Sequence, residues 1–446
     1  MSIRPRKRDA VIAICAIAMG LAVLYGVPGA SAQQVAGSGQ SGPRDDILEV
    51  LSPKPMAQRT LRDKPVREYQ GLPLGGWMLY PSFLIGGTFD DNIFQSSFRR
   101  VASGGLHLRP SLVAERDSGI HHTTIHALGD FRIYPDYSAA NVVNAQVGFK
   151  HDWEAQRDLK FTAVGEYLRH TDMYNTGIVV GPLGTTGFIA SPQRYNQFVG
   201  AVSGVKSFDR FFVGLGGTAV GTTFDTLYTT GGSASQSYRD NIYTSVTGRA
   251  GYMVTPLMYA FVESTGNFRD FNSPVYNSQG FRIIGGLGTD RISLFRGEIF
   301  TGYQRQIYAT ALFGAPSSPV IGGKLFWYPT RAITVSAGVD QSFADSALLT
   351  VGNLTGSASR TVSVWTAINY AMSRSWSASL RGSYDDLRYI TGGRHDARWT
   401  TGAALNYEIF RNLMATFEYS FATVTSNVQT ASFTRNTFTL GGTYKY

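Results

Sequence analysis

The 446-residue sequence contains one cysteine, Cys15, and this scarcity excludes several kinds of site. Cys15 lies in an N-terminal segment that we predict to be cleaved off, so the mature chain would have no disulfide, no thiolate metal site and no cysteine nucleophile. Charged residues make up only 16% of the sequence, and basic residues are interleaved with acidic ones. Because no basic arm or stripe is present, we expect no nucleic-acid partner.

Long hydrophobic runs are also missing. After residue 32 the sequence has no run of eighteen apolar residues, so we predict no membrane-spanning helix there. Segments with helical periodicity are nearly absent, yet 43% of the residues are hydrophobic and the chain holds 50 glycines, 24 tyrosines and 27 phenylalanines. Weak hydropathy spread over many alternating segments is typical of a transmembrane β-barrel. Lipid leaves no backbone group unpaired, so strands can cross a membrane only when the sheet closes on itself.

The first 32 residues have the three parts of a signal peptide. A basic stretch at Arg4–Arg8 precedes an apolar stretch at Ala10–Tyr25, and residues 30–32 (Ala-Ser-Ala) form a small-x-small cleavage site. The mature chain is therefore predicted to start at Gln33. A retained signal anchor is the alternative interpretation.

Residues 33–75 differ in composition from the remainder of the chain. They are rich in Gln, Gly, Ser, Pro and charge with little periodicity, which indicates a flexible periplasmic segment. Asp45–Leu51 is predicted to form one short helix within it, acting as a tether or as a small plug of the pore. Residues 76–446 are predicted to form the barrel.

From Trp77 onward, segments of alternating polarity recur between turn residues. About eighteen of them are long enough to cross a bilayer at a tilt, and a count of sixteen also fits. The fold class is therefore all-β, a transmembrane antiparallel up-and-down barrel. The predicted strands are Trp77–Phe89, Val101–Arg116, His121–Tyr134, Asn144–Gln156, Leu159–Thr171, Arg194–Ser207, Phe211–Thr223, Arg239–Met253, Leu257–Asp270, Gln279–Thr289, Ser293–Arg305, Val320–Tyr328, Ala332–Phe343, Ala358–Ala371, Ser375–Tyr389, Asp396–Ile409, Leu413–Thr423 and Thr434–Tyr446.

The last predicted strand alternates between an apolar and a polar face and stops on an aromatic residue. Its ending resembles the insertion signal of bacterial outer-membrane barrels, through Thr439, Gly441, Tyr444 and Tyr446. That resemblance implies a partner in the barrel-assembly machinery. An amphipathic strand of a soluble β-sandwich is the alternative.

Alternation also assigns faces to the strands. Aromatic residues cluster at strand ends, which indicates two girdles at the headgroups, with Trp153 in the periplasmic girdle and Tyr134 in the outer one. Basic and acidic residues keep to the opposite, lumen-facing positions, in about equal numbers, so we expect no strong ion selectivity. They would either set the field of a pore or pair with one another along the wall. The predicted pore-lining residues are Arg109, Arg132, Lys150, Asp152, Lys160, Glu166, Arg249, Arg282, Arg296, Glu298, Arg381, Asp385, Arg398, Glu408 and Glu418.

Motifs of catalysis are absent. The sequence has no GxSxG elbow, no HExxH and no phosphate-binding glycine loop. His122 and His126 would share the lumen face near Asp130, but two histidines four apart on a strand make a poor metal fork. We therefore expect no enzymatic activity, no metal site and no cofactor.

After the first predicted strand the sequence reads Phe89, Asp90, Asp91, Asn92, Ile93, Phe94. This segment, with the signal peptide, the polar lead-in and the barrel that follows, resembles the opening of the putative β-barrel porin type 2 family of Gram-negative, mainly alphaproteobacterial, envelopes. The resemblance covers residues 77–446 and implies an outer-membrane location. Some members of that family are thought to accompany exopolysaccharide export. The segment itself would either supply oxygen ligands to Ca²⁺ or end the strand with an Asx turn, which we favour.

Together these features predict an integral outer-membrane barrel surrounded by lipid, with a periplasmic N-terminal segment. We expect a passive pore for small hydrophilic solutes, with the loop Asp172–Gln193 as the candidate constriction. The alternatives are an outer-membrane component of polysaccharide export and a structural or adhesive barrel with a filled lumen.

Overall fold

The computed structural model describes residues 71–97, 100–171, 178–180, 186–188, 192–229, 232–292, 294–346, 357–428 and 431–446. Within these residues the chain forms strands joined by turns, loops and three short 3-10 helices, at Ser138–Ala140, Ser237–Arg239 and Pro274–Tyr276. None of the described residues belongs to a helix that is long and apolar enough to cross a membrane.

The strands are numbered in chain order. They are β1 (Leu72–Leu74), β2 (Trp77–Asp90), β3 (Ser103–Asp117), β4 (His121–Ile133), β5 (Val142–Gln156), β6 (Leu159–Thr171), β7 (Ile178–Val180), β8 (Thr186–Phe188), β9 (Arg194–Phe208), β10 (Phe211–Phe224), β11 (Leu227–Thr229), β12 (Gly232–Ala234), β13 (Asn241–Thr255), β14 (Met258–Phe271), β15 (Ser278–Ile292), β16 (Phe295–Tyr308), β17 (Ser317–Trp327), β18 (Ile333–Ser346), β19 (Ser357–Ala371), β20 (Trp376–Tyr389), β21 (His395–Phe410), β22 (Leu413–Ser426) and β23 (Phe433–Lys445).

Eighteen of these strands form one closed antiparallel barrel. Each wall strand pairs with the next wall strand along the chain, and β23 returns to pair with β2, from Ser82↔Lys445 to Asp90↔Thr437. Short turns join the strands at one end of the barrel, the turn end. Longer connections, which carry the hairpins β7–β8 and β11–β12, join them at the other end, the loop end.

The short strand β1 completes the seam between the first and last wall strands. Pairing of β23 with β2 stops at Ser82, and β1 pairs with the remainder of that edge, from Leu72↔Leu79 to Leu74↔Trp77. Gly75 and Gly76 make the connecting turn with φ angles of 55° and 84°, a conformation that glycine adopts without a steric penalty. Because β1 covers this edge, less of β2 is left as an unpaired template for other chains.

Alternation along the strands gives the wall an apolar outside. On β10, Phe211, Val213 and Leu215 are 60%, 51% and 63% exposed, while the intervening Phe212 is 3% exposed. The same pattern recurs around the barrel, because successive side chains of a strand point to opposite faces. A closed sheet with an exposed apolar exterior is suited to a bilayer.

The predicted strands match the eighteen wall strands, with ends shifted by up to three residues, so the higher of the two predicted strand counts is confirmed. The predicted domain boundary at residues 75 and 76 falls in the β1–β2 turn, and β1 itself lies in the segment predicted to be flexible. The predicted signal peptide and the short helix at Asp45–Leu51 lie outside the described residues.

The assignment of Tyr134 to the outer aromatic girdle is wrong. Its side chain is 1% exposed and packs with Ile93 and Ala140, and its hydroxyl donates to Asp90. Trp153, assigned to the periplasmic girdle, is 41% exposed and stacks on Phe161 of the next strand. Tyr134 follows the end of β4, where the chain turns, so strand parity does not determine its direction.

Candidate functional site: the inner wall and the seam

All fifteen residues predicted to line a pore lie at inward positions of wall strands, opposite the exposed apolar positions. The inner wall therefore carries ionisable side chains, as strand parity requires. The structure gathers most of them into three clusters.

The first cluster bridges the seam from inside. The Arg109 guanidinium on β3 donates to both oxygens of the Glu418 carboxylate on β22, at 2.9 and 3.0 Å. The strands β2 and β23 lie between these two residues in the wall. Two parallel bonds of this kind fix orientation as well as charge. The pair therefore links strands on both sides of the barrel closure.

Asp130 extends this cluster along β4. Its carboxylate oxygens lie 3.4 Å from Arg109 Nε, 3.5 Å from Arg132 Nε and 3.4 Å from His107 Nε2. The His107 side chain is fully buried beside it. Two guanidinium groups and one imidazole thus surround the Asp130 carboxylate. The guanidinium groups compensate its charge on the inner wall.

The second cluster lies on β5 and β6. Asp152 accepts a bond from the Thr162 hydroxyl at 2.6 Å and lies 3.7 Å from Lys150 Nζ and 3.3 Å from Lys160 Nζ. On the same face, Glu166 accepts from the Gln146 amide and lies near the ring of His126. The distance from Glu166 Oε1 to His126 Nε2 is 3.3 Å.

The third cluster is the most buried. Arg249 on β13 lies 3.3 Å from Glu263 Oε2 and 2.8 Å from Glu298 Oε1, and its side chain is 3% exposed. The Tyr259 hydroxyl donates to Glu298 at 2.6 Å, and the Arg249 guanidinium stacks 3.7 Å from the Phe261 ring centre. Because these contacts span β13 to β16, this sector of the wall is closely packed on its inner side.

The other predicted residues are more scattered. Arg282 pairs with Asp340 at 2.8 Å, and Asp385 accepts from the Ser363 hydroxyl at 2.6 Å. Arg296 lies 6.0 Å from the Phe326 ring centre. Arg381 interacts electrostatically with Glu418 of the first cluster, and Glu408 interacts with Lys445. Arg398 on β21 lies opposite Asp385 on β20.

The prediction omitted several inward residues that the structure places in these contacts: His107, Glu263, Arg269, Lys324, Asp340 and Arg435. Strand parity was the signal that could have identified all of them, since each alternates with the outward apolar positions of its own strand. What parity does not indicate is which strands a long side chain spans inside the barrel.

The segment Phe89–Phe94 lies at the loop end of β2 and forms part of the seam. Asp90 is fully buried, and one carboxylate oxygen accepts the Asn92 backbone N–H at 2.9 Å, which is the predicted Asx turn. The other oxygen accepts from Arg435 Nε on β23 at 2.7 Å and from the Tyr134 hydroxyl at 3.2 Å. Burial, and then the Asp90 charge, raise the pKa of Tyr134.

The two residues after Asp90 continue the same contact. Asp91 accepts from the backbone N–H and side-chain amide of Asn436, at 2.7 and 2.8 Å. The Asn92 amide donates to the carbonyls of Ser96 and Thr434 at 3.0 and 2.9 Å. The carboxylates and the amide are therefore engaged with β23 and the adjoining turn, an arrangement that explains this segment without a bound cation.

The predicted assembly-signal residues occupy both faces of β23. Tyr444 and Tyr446 are 50% and 44% exposed on the outside, while Thr439 is buried on the inside and bonds to Thr88. Gly441 lies against β2 so closely that a Cβ atom there would stand 2.6 Å from the Ile85 carbonyl oxygen. Close approach of the two backbones at the seam accounts for a glycine at this position.

No group of three or more histidine, aspartate or glutamate side chains arranged to hold a metal ion occurs among the described residues. His122 lies 3.2 Å from Asp117, and His126 lies near Glu166, so the two histidines have different acidic neighbours. The predicted constriction loop, Asp172–Gln193, lies largely outside the described residues.

Comparison with a protein family agrees with this architecture. A family model described as "Putative beta-barrel porin 2" matches residues 64–446. No curated protein matches the chain. Similar solved structures include the outer membrane protein OpdK from Pseudomonas aeruginosa, at 11% identity and a TM-score of 0.39, covering 82% of this chain and 99% of that one. OccK2 (OpdF) from Pseudomonas aeruginosa matches at 11% identity and a TM-score of 0.42, covering 84% and 99%. The siderophore receptor PirA from Acinetobacter baumannii matches at 7% and 0.41, covering 82% and 80%.

Proposed function

Since the chain belongs to the Putative beta-barrel porin 2 family and is an outer-membrane β-barrel, we propose that it is a passive channel for small hydrophilic solutes. A barrel of sixteen to eighteen strands is wide enough to enclose water. Solutes would diffuse along the inner wall, with no enzymatic step and no cofactor. The apolar exterior would contact outer-membrane lipid, and the last strand would be recognised by the barrel-assembly machinery during insertion.

One observation supports an aqueous path in particular. Lys150 and Lys160 point into the barrel, yet the side chain of each is 47% exposed. Lys160 lies at the turn end of β6, where the barrel opens, but Lys150 lies six residues inside β5. Space must therefore remain inside the barrel beside Lys150. Charged groups beside such space are stable when water fills it. Transfer of an ammonium group from water to an apolar medium costs a free energy on the order of several kcal/mol.

The inward charges also indicate the kind of channel. Arg109 with Glu418, Arg249 with Glu298, and Lys160 with Asp152 are cation–carboxylate contacts of 2.9, 2.8 and 3.3 Å. Paired charges produce a weaker net field than a ring of one sign, so discrimination between cations and anions would be modest. This favours a general path for hydrophilic solutes over a strongly ion-selective pore.

Planar-bilayer recording of the purified barrel tests this proposal. We expect stable open steps for the wild type, and a shift of the reversal potential toward cation selectivity in Lys150→Glu under a salt gradient. The matched control is Arg411→Glu, which makes the same change of charge in a turn outside the lumen. Absence of steps, or equal shifts for both variants, would contradict the proposal.

A second candidate function is a role in polysaccharide export. Phe326 and Trp365 lie on the inner wall, with Lys324 Nζ at 5.4 and 5.9 Å from their ring centres. Aromatic rings beside a polar path could stack on sugar rings. Uptake of a sized sugar series into liposomes separates the two functions, since exclusion of all but small solutes would contradict export.

The third candidate is a structural or adhesive barrel with a filled lumen. The buried cluster around Arg249 shows that one sector of the inner wall is tightly packed. A barrel filled in this way throughout would give no conductance in the same recordings, whereas open steps would exclude it.

A further inference from the structure

Two neighbouring wall strands, β17 and β18, are paired along only part of their length. Pairing between β17 and β18 runs only from Trp327↔Val335 to Gly323↔Val339, and no described pair continues it toward the loop end. Both strands extend well beyond this point, to Ser317 and to Ser346. Each remains paired with its other neighbour along that length. The boundary between β17 and β18 is therefore unpaired in its loop-end half.

Pro319 provides a reason in the sequence. In the continued register Pro319 would stand opposite Phe343, four residues beyond the last described pair on each strand. The Gln306 N–H donates to the Pro316 carbonyl, so alternate residues from Pro316 face β16 and Pro319 faces β18. A continued ladder would require an N–H at Pro319 for the Phe343 carbonyl, and proline has none.

A different donor serves that carbonyl. Ala371 N–H donates to the Ala332 carbonyl, so by the same alternation the Phe343 carbonyl points away from β19, toward β17. It accepts a bond of 2.9 Å from the guanidinium of Arg269, which lies on β14. Three strands stand between β14 and β18 in the wall. The bond is therefore possible only if β18 leaves the wall and enters the lumen.

Two further contacts hold β18 in the same position. Arg282 on β15 pairs with Asp340 at 2.8 Å. The Gln341 amide, at an outward position of β18, donates to the hydroxyl of Ser318, at an inward position of β17. An outward side chain can meet an inward one of the neighbouring strand only if β18 overlaps the inner surface of β17.

Burial supports this overlap independently. Phe343 occupies an outward position but is only 7% exposed, whereas outward aromatic residues such as Phe268 are 58% exposed. On the inner face of β17, Ser318 is 3% exposed. Both surfaces are covered, as expected where the outer face of one strand packs on the inner face of the other.

We infer that the loop-end half of β18, residues 340–343 in particular, is the constriction of the channel, and that Arg269, Arg282 and Asp340 determine its width. This inference rests on the proposed channel function. Held inward, the strand reduces the bore and places an arginine pair and a carboxylate at its margin. Released, it would rejoin β17 in the wall and widen the path for solutes.

Disulfide cross-linking in a Cys15→Ser background tests the position of the strand. Ser318→Cys/Gln341→Cys joins side chains that touch in the overlapped arrangement and is expected to cross-link in intact membranes. Val320→Cys/Ser342→Cys would face each other only in the continued ladder and is expected to remain reduced. The reverse result would overturn the inference.

A positive control and a second variant sharpen this experiment. Phe326→Cys/Ser336→Cys lies in the paired half of the β17–β18 boundary, at positions that the register places opposite each other, and should cross-link in any case. Replacing Pro319 by alanine restores the missing donor, so cross-linking of Val320→Cys/Ser342→Cys should then increase. No increase would contradict the part assigned to Pro319.

Conductance separates this inference from the proposed function. Asp340→Ala removes the carboxylate that holds Arg282, and we expect its single-channel conductance to rise by about twofold or more as the pore widens. Asp158→Ala, which breaks an ion pair with Lys206 in a turn outside the lumen, is the control and should leave conductance unchanged. Open steps of equal size in the wild type and Asp340→Ala would overturn the constriction alone. Silence of both would overturn the channel function.

Discussion

The contact between Asp90 and Arg435 predicts a large loss of stability when its charge is removed. The pair joins the first wall strand to the last, and the Asp90 side chain is fully buried. Asp90→Asn keeps the acceptor for the Asn92 N–H but replaces the charged oxygen near Arg435 and Tyr134 with an amide. The Arg435 guanidinium, 10% exposed, would then lie buried without its counter-charge.

The size of the effect follows from that burial. Removing one partner of a buried ion pair typically costs about 3–5 kcal/mol, because the remaining charge stays desolvated. We expect Asp90→Asn to lower the free energy of unfolding by about 3 kcal/mol, the lower end of that range, because the Asx bond survives. Asp90→Asn/Arg435→Met should lose less than the sum of its single variants, since the uncompensated charge is gone.

Reversible urea unfolding in lipid vesicles, followed by tryptophan fluorescence, measures this loss. The control is Arg100→Ala, which breaks the neighbouring pair with Asp91. That arginine side chain is 51% exposed, so the expected cost is below about 1 kcal/mol. If Asp90→Asn lowered the stability as little as Arg100→Ala, the interpretation that this segment holds β2 and β23 together would be refuted.

Three other predictions concern the seam and the two faces of the wall. Gly86→Ala should cost about 1–3 kcal/mol of stability because its Cβ would stand 2.5 Å from a backbone oxygen of β23, whereas Gly87→Ala, with nothing within 4 Å, should cost little. Because burial raises the pKa of Tyr134, the folded state favours its neutral form. Stability should therefore fall as the pH rises above about 10, the pKa of an unfolded tyrosine, and Tyr134→Phe should reduce that slope in urea titrations. Leu215→Arg places a charge on the lipid face and should cost about 2–4 kcal/mol, while Thr218→Arg, on the lumen face, should cost much less. Equal costs for those two variants would contradict the assignment of faces.

Much of the fold could be predicted because a barrel repeats one simple pattern. Side chains alternate with a period of two, and lipid on one side penalises charge. The polarity of residues such as Leu215 and Lys150 therefore assigns them to the lipid face and the lumen face. The short turns that separate the strands fix where each one ends. Tyr134 could not be placed in this way, since it follows the end of its strand and its burial depends on Asp90.

The contacts inside the barrel were less predictable. Arg109 and Glu418 were both predicted to face inward, but their pairing depends on the closure of the barrel between them. The segment beginning at Asp90 was predicted to make an Asx turn, which is confirmed, but its partners on β23 are more than 340 residues away in sequence. Local patterns carry no information on such distant partners. The break beside Pro319 had a local signal, since proline is disfavoured inside a sheet, yet the response of β18 depends on Arg269 from another strand.

The wall closes between β2 and β23, with one face toward lipid and the other toward water. Spin labels placed in turn at Thr437, Phe438, Thr439 and Leu440 of the membrane-inserted barrel test this arrangement. We predict that labels at 438 and 440 are relaxed by oxygen dissolved in lipid, and that labels at 437 and 439 respond to a water-soluble nickel reagent. Labels that show no alternation, or that all respond to the aqueous reagent, would contradict the account.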